Sequence, residues 1–151
     1  MHKLVALLAE FLSNFRDLGL LIFRLGIGGM FCWHGWPKIA GGMEYWSEIG
    51  RAVGPLGIQY APVFWGFMSG FAEFVGGLFF AIGYLYRPVC ILLIVNMFVA
   101  FTSQMAGGKG LLKAAQSFED GFSFIGALFV GPGKYSVDHG LGLEEPRRGF
   151  F

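Results

Sequence analysis

Residues 20–36 read LLIFRLGIGGMFCWHGW, an almost unbroken apolar run that carries Arg24 and His34. A helix of about 20 apolar residues is long enough to cross the hydrocarbon layer of a bilayer. The composition agrees, because 55% of the 151 residues are hydrophobic, 14% are charged and the mean hydropathy is +0.60. Soluble domains carry roughly 25% charged residues. The sequence therefore predicts an integral membrane protein.

Four such stretches predict an all-α fold, an integral membrane four-helix bundle. The predicted spans are residues 18–36, 63–84, 89–105 and 111–130. Together they form one predicted domain, residues 18–133. We expect Pro37, Lys38 and the pair Gly41–Gly42 to end the first span, since proline and glycine interrupt helices. The fourth span is the least apolar, because Lys113, Glu119 and Asp120 lie within it.

The segments outside the spans are expected at the membrane surface or in water. Residues 1–17 place apolar side chains at helical spacing with Lys3 and Glu10 elsewhere, which predicts an N-terminal amphipathic interfacial helix. The alternative is that these residues are the first turns of the first span. A short interfacial helix is also expected around Glu44–Val53, in the loop between the first two spans. Residues 134–151 form a predicted polar tail without an anchor.

The distribution of basic residues predicts the orientation, because cytoplasmic loops carry an excess of lysine and arginine. The side of the two termini carries six, namely Lys3, Arg16, Arg87, Lys134, Arg147 and Arg148. The opposite side carries four, namely Lys38, Arg51, Lys109 and Lys113. Six against four favours a multi-pass topology with both termini in the cytoplasm.

Several classes of ligand are not expected. The net charge is +1 and the basic residues are scattered, so no nucleic-acid surface is predicted. His34 alone among three histidines lies in a span, so neither a metal site nor a haem is predicted. Cys32 and Cys90 are far apart within apolar runs, and we expect them to be buried, unreactive thiols.

Two charged side chains inside predicted spans need partners, because an ion in hydrocarbon is costly. Arg24 lies about six residues into the first span and Glu73 about ten residues into the second, depths that match roughly in antiparallel helices. We therefore predict an Arg24–Glu73 ion pair inside the bundle. Such a pair either forms part of a functional site or only holds the helices together.

Further polar residues extend this set. His34 and Lys38 share a face if the helix survives Pro37. His34 suits a ligand carbonyl or a backbone carbonyl, and Lys38 suits a ligand or a snorkelling anchor. The polar residues expected to be structural are Asn96, Gln104, Glu119 and Asp120. The last two lie about 100° apart on a helix, so one of them should face the bundle. The glycines expected at helix contacts are Gly66, Gly70, Gly76 and Gly77.

Three motifs, in order along the chain, resemble those of the DoxX family, small four-helix membrane proteins related to DoxD. They are R-L-x-x-G-x-x-F-x-x-H-G-x-x-K at residues 24–38, E-x-x-G-G-x-x-x-x-x-G-x-x-x-R at 73–87, and G-P-G-x-x-S-V-D at 131–138. The resemblance implies a role in a redox membrane complex linked to quinone, with relatives tied to thiosulfate oxidation and to oxidative or sulfur stress. The shared polar positions correspond here to Arg24, His34, Lys38 and Glu73.

The resemblance makes these four residues the hypothetical contacts of a quinone or a lipid headgroup. It also suggests the plasma membrane of a bacterium or archaeon, with the bilayer, other membrane subunits or further copies of the chain as partners. The chain lacks an obvious redox cysteine pair, which argues against sulfur chemistry by this chain alone. Three functions stay open: a quinone-binding redox subunit, an accessory or assembly subunit without chemistry, and a small-solute or proton carrier.

Overall fold

The computed structural model describes residues 2–144, and within them every regular element is a helix. The helices are α1 (His2–Ser13), α2 (Arg16–Ala40), α3 (Gly42–Gly50), α4 (Pro62–Ile82), α5 (Tyr86–Ala106), α6 (Gly110–Val130) and α7 (Val137–Gly140). A 3-10 helix, Arg51–Leu56, follows α3. The all-α class predicted from the sequence is confirmed, and α3 lies where a short helix was expected.

Three of the described helices, α2, α4 and α5, are long and apolar enough to cross a membrane. The chain is an integral membrane protein by this measure. Helix α6 has 21 residues, as α4 does, but it carries Lys113, Glu119 and Asp120. The fourth span therefore stays a prediction, and so does the orientation with both termini in the cytoplasm.

Helix α2 continues through Pro37 and Lys38 to Ala40 and is capped by Gly41, so the predicted stop is wrong for Pro37 and Lys38 and confirmed for the Gly41–Gly42 pair. Proline inside a helix removes one backbone hydrogen bond and normally bends or ends the helix. Here the last turn is held from outside, because Trp46 Nε1 donates a hydrogen bond of 2.6 Å to the Lys38 carbonyl oxygen. The continued helix keeps Lys38 on the same face as His34.

Glycines bring α2 and α4 close together. Gly28 and Gly35 of α2 and Gly77 of α4 lie where the two backbones meet. A Cβ on Gly28 would come within 2.5 Å of the Gly77 carbonyl oxygen, which no ordinary packing tolerates. Because the contact needs bare backbone, a larger residue at these positions would push the helices apart.

The structure buries all four α4 glycines that were predicted at helix contacts, which are Gly66, Gly70, Gly76 and Gly77. A Cβ on Gly66 would overlap the backbone of Trp46 in α3, and one on Gly76 would touch the Leu93 side chain of α5. Helix α4 thus packs against α2, α3 and α5.

An aromatic core joins the four long helices. The Phe80 ring stacks on Tyr86 with centroids 5.0 Å apart and meets Phe124 edge-on at 5.1 Å. Phe31 meets Phe124 edge-on at 4.9 Å. These rings come one from each of α2, α4, α5 and α6, and all are buried. Such ring pairs stabilise by about 1 kcal/mol each beyond the area that they bury.

Helix α1 has no buried residue, and a break at Asn14–Phe15 separates it from α2. The alternative that this segment simply forms the first turns of the first span is therefore wrong for residues 2–13, whereas Arg16 and Asp17 do begin α2. Exposed leucine and phenylalanine side chains, among them Leu8 and Phe11, lie along α1. Its place in the membrane interface stays a prediction.

The chain after α6 folds back onto the bundle, so the prediction of an unanchored tail is wrong for the described part. We call residues 131–144 the C-terminal strap. The Asp138 carboxylate accepts hydrogen bonds of 2.8 Å from the backbone N–H groups of Leu85 and Tyr86. These groups begin α5 and have no acceptor within the helix, so Asp138 serves as its cap. Residues 145–151 of the predicted tail lie outside the described residues.

Candidate functional site

Polar side chains from α2, α4, α5 and α6 meet around a cavity of about 350 Å³, which we call the polar cavity. Its polar lining residues are His34, Lys38, Glu73, Gln104, Gln116, Ser117 and Asp120. Its apolar lining residues include Ile27, Met30, Phe31 and Met97. Ligand pockets measure roughly 300–1,000 Å³ and combine apolar walls with a few polar groups. The polar cavity has both properties.

Glu73 is the most buried charged residue of the polar cavity, with 4% of its surface exposed. Lys38 Nζ lies 2.5 Å from Glu73 Oε1, and Asn96 Nδ2 donates to the same oxygen at 3.0 Å. Glu73 Oε2 is buried and has no partner within residues 2–144. A buried acceptor left unpaired costs about 1–3 kcal/mol. A ligand hydroxyl or a water molecule at this oxygen would remove that cost.

The register of α2 on α4 produces this pair. Gly35 of α2 packs against the backbone of Glu73 and Phe74, so Glu73 lies about one helical turn from Lys38. Gly70 leaves room for the Lys38 side chain, since a Cβ there would lie 3.0 Å from the Lys38 Cβ. The lysine can therefore reach back along α4 to the carboxylate.

The predicted Arg24–Glu73 ion pair is wrong. Arg24 lies about 21 Å along α2 from Lys38, given a rise of 1.5 Å per residue, and so cannot share its partner. Its Nη2 instead donates a hydrogen bond of 2.5 Å to the Tyr135 carbonyl oxygen of the strap, and its guanidinium packs against Gly83. Arg24 is fully buried and lies outside the polar cavity.

The remaining predicted residues divide between the cavity and its surroundings. His34 lines the polar cavity from α2 with an exposed side chain. Gln104 also lines it, and its Nε2 donates a hydrogen bond of 2.9 Å to Ser117 Oγ of α6. Asp120 lines the cavity and interacts electrostatically with His34, whereas its neighbour Glu119 is exposed. The expectation that one of the two acids faces the bundle is met by Asp120.

Two lining residues, Gln116 and Ser117, were not singled out from the sequence. Their helical spacing held a signal, because positions 116, 117 and 120 share one face of α6. All three residues on that face are polar. This pattern would have placed Gln116 and Ser117 beside Asp120.

A second, mainly apolar cavity of about 470 Å³ lies between the 3-10 helix, α4 and α5. Asn96 lines it and also donates to Glu73, so this side chain lies between the two cavities. Trp65 lines it as well, and its buried Nε1 has no partner within residues 2–144. The rest of the lining is almost wholly apolar, which suits a hydrocarbon chain.

Comparison with protein families identifies one match. The sequence profile named DoxX matches residues 19–105, more than half of the 151 residues. The chain belongs to the DoxX family. Comparisons of this DoxX protein with curated proteins and with solved structures found no match.

The matched segment contains most of the polar cavity of this DoxX protein. It includes His34, Lys38, Glu73 and Gln104, and it also includes Arg24. The wall built by α6 and the whole C-terminal strap lie beyond it. The family assignment therefore covers three of the four helices that surround the cavity.

Proposed function

We propose that this DoxX protein binds a quinone or quinol in the polar cavity, as a subunit of a redox complex of the membrane. The observation that carries the proposal is Glu73 Oε2, a buried acceptor without a partner in residues 2–144 at the wall of a ligand-sized cavity. His34 and Met30 are exposed and line the same cavity, so it is accessible from outside the bundle.

The lining suits the head group of a quinone pair. Such a ring needs apolar contacts on its faces and hydrogen-bonding groups at two oxygens. Phe31 and Met97 supply apolar surface, while Lys38, His34 and Glu73 supply donors and an acceptor. Arg24 drops out of the proposed contacts, because it is buried under the strap.

The proposal assigns the redox centre to a partner subunit. Cys32 and Cys90 are free thiols on different helices. Cys90 is buried in the aromatic core, and Cys32 donates a hydrogen bond of 3.3 Å to the Phe74 carbonyl oxygen. Neither thiol lines the polar cavity. This DoxX protein would then hold the lipophilic electron carrier while the partner exchanges electrons with it.

Thermal unfolding of the full chain in mild detergent tests the proposal. A short-chain quinone or quinol at about 100 times its Kd should stabilise the protein by roughly 2.7 kcal/mol. Lys38→Ala should lose most of this ligand-dependent gain. Lys109→Ala, in the exposed turn before α6, is the matched control and should keep it. Unchanged melting of the native protein with either redox form would contradict the proposal.

A second candidate function is an accessory subunit that supports assembly and has no chemistry. Gly19, Gly26 and Gly29 of α2 face outward, since a Cβ on any of them would meet nothing within 4 Å. Trp33 is exposed on the same helix. Small residues on an outer helix face allow another helix to approach closely in lipid.

Co-purification separates the two candidates. If assembly is the whole function, Gly26→Leu should abolish recovery of partner subunits, and Glu73→Gln should leave no assembled but inactive complex. An assembled complex that carries Glu73→Gln and has lost activity would exclude the purely accessory function.

A further inference from the structure

A third cavity lies at the end of the bundle where α2 begins, and we propose that it binds the phosphate of an anionic phospholipid. We call it the terminal cavity. It measures about 500 Å³ and is bounded by the starts of α2 and α5, the end of α6 and the C-terminal strap. The G-P-G residues 131–133, which open the third sequence motif, form part of its wall. The terminal cavity shares no lining residue with the polar cavity, so binding at each can be tested separately.

The lining of the terminal cavity carries more positive than negative charge. Its basic residues are Arg16, Arg87, Lys134 and His139, and its acidic residues are Asp17 and Glu144. With the histidine neutral, three cations and two carboxylates leave an excess of one positive charge. A concave surface with such an excess attracts anions.

The pairing of these residues concentrates the excess charge on Arg16. Arg87 Nε and Nη2 donate to the Glu144 carboxylate at 2.5 and 3.2 Å, so this cation is already compensated. Lys134 Nζ lies 3.9 Å from Asp17 Oδ2, a loose ion pair. The Arg16 side chain is exposed and forms no ion pair with any residue in 2–144. A guanidinium presents a planar fork of N–H donors that matches the oxygens of a phosphate.

The position of the terminal cavity favours a lipid over a soluble phosphate compound. Arg16 is the first residue of α2, which is long and apolar enough to cross a membrane, so its guanidinium lies near the level of the lipid headgroups. Phe15 and Leu18 flank it in the chain with exposed side chains, and Leu20 and Val130 line the cavity. Acyl chains therefore find apolar surface beside the group that holds the phosphate. Basic pockets between spanning helices bind anionic headgroups in this way.

The excess positive charge also distinguishes between classes of phospholipid. Phosphatidylglycerol has a net negative charge that compensates the excess. Phosphatidylcholine has the same phosphate, but its own ammonium group would bring a further cation to a lining that is already positive. We therefore expect the terminal cavity to prefer the anionic lipid.

Thermal unfolding of the full chain in a neutral detergent tests the preference with three probes: dioleoylphosphatidylglycerol, dioleoylphosphatidylcholine and inorganic phosphate. Phosphatidylglycerol at about 100 times its Kd should raise the melting temperature by roughly 5–10 °C. Phosphatidylcholine, which has the same acyl chains, should give a clearly smaller shift, and inorganic phosphate should give none. Equal shifts with the two lipids, or no shift with phosphatidylglycerol, would overturn the proposal. A shift with inorganic phosphate as large as that with phosphatidylglycerol would overturn the assignment to a lipid.

Two neighbouring residues provide variants with opposite expected effects. For Arg16→Gln, the phosphatidylglycerol concentration that gives half of the shift should rise about tenfold, because a charged hydrogen bond is lost. Asp17→Asn should lower this concentration, because it removes the carboxylate beside Lys134 and keeps an oxygen that accepts from the Lys134 N–H group.

The matched control is Arg51→Gln, which alters an exposed arginine in the 3-10 helix at the opposite end of the bundle and should respond to the lipid as the native protein does. Without added lipid, Arg16→Gln should melt with the native protein, because its side chain is exposed. A smaller shift then reports weaker binding and not a weaker fold. An Arg16→Gln variant that responds to phosphatidylglycerol as the native protein does would overturn the proposed site.

Discussion

Helix α2 directs two basic side chains, Arg24 in its N-terminal half and Lys38 near its C-terminus, into the bundle. Their surroundings differ. Arg24 is fully buried under the C-terminal strap, where it donates to the Tyr135 carbonyl oxygen. The Lys38 side chain is 25% exposed and pairs with Glu73 at the edge of the polar cavity. The Arg24 side chain is closed off by the chain itself, whereas Lys38 lines ligand-sized space. The comparison teaches that burial of a charge does not by itself mark a ligand site.

The largest expected effect is at Arg24. Arg24→Ala should lower the free energy of unfolding by roughly 4 kcal/mol, because it opens a cavity and removes the hydrogen bond to the Tyr135 carbonyl oxygen. Thermal unfolding in detergent measures the loss, with Arg16→Ala, an exposed residue of the same helix, as the control. Normal stability combined with loss of quinol binding would reverse the roles assigned to Arg24 and Lys38.

A smaller effect is expected where α2 and α4 touch between these two residues. A Cβ added by Gly35→Ala would overlap the Phe74 backbone, so the variant should lose about 2–3 kcal/mol of unfolding free energy. Gly26→Ala is the matched control on the same helix. It adds the same methyl group in open space and should gain up to about 1 kcal/mol through helix propensity. Equal stability of the two variants would show that the close contact is not required.

The C-terminal strap should contribute somewhat less to the free energy of unfolding than the contact between α2 and α4. Asp138→Ala removes both acceptors of the Leu85 and Tyr86 N–H groups and should cost about 2 kcal/mol, the upper end for a helix cap. Asp138→Asn keeps one acceptor oxygen and should recover part of the loss. Limited proteolysis reports the same change, because a released strap becomes accessible. Equal melting temperatures for native protein and Asp138→Ala would show that the cap is dispensable.

The smallest effect on stability is expected at the polar cavity. Glu73→Gln keeps the shape of the side chain and leaves Lys38 able to reach solvent, so the unfolding free energy should fall by no more than about 1 kcal/mol. Quinol binding should nevertheless weaken clearly. If the variant unfolds as readily as Arg24→Ala, then Glu73 serves the fold in the way that Arg24 does, and the contrast between the two regions fails.

The local sequence pattern was sufficient to locate the long apolar helices and most of the polar residues that line the polar cavity. Apolar runs of membrane-spanning length located α2, α4 and α5. The search for charges inside those runs found Glu73, and helical spacing joined His34 to Lys38. These three residues line one cavity in the structure.

The sequence pattern could not determine which basic side chain forms the ion pair with Glu73. Depth counted from the ends of two helices depends on where each helix ends, and α2 runs past Pro37 to Ala40. The register of α2 against α4 is set instead by close backbone contacts, such as that of Gly35 with the backbone of Glu73. Glycine has no side chain, so no side-chain pattern marks this contact. Sequence spacing within one helix contains no information about that contact.

The strap was missed for a related reason. Arg24 and Tyr135 are 111 positions apart, and Asp138 lies 53 positions from Leu85. Nothing near Asp138 in the sequence indicates that its carboxylate caps a distant helix. The polar composition of the segment was therefore interpreted as exposure to water, although Asp138 is buried.

The contact between Arg24 and Tyr135 has a consequence for biosynthesis. Chains are made from the N-terminus, and domains generally complete their folding only when all of their parts have emerged. The guanidinium belongs to α2, near the start of the chain, but the carbonyl that accepts its hydrogen bond is translated after all the long helices. A nascent chain that stops before residue 135 therefore lacks the acceptor of the Arg24 Nη2 hydrogen bond.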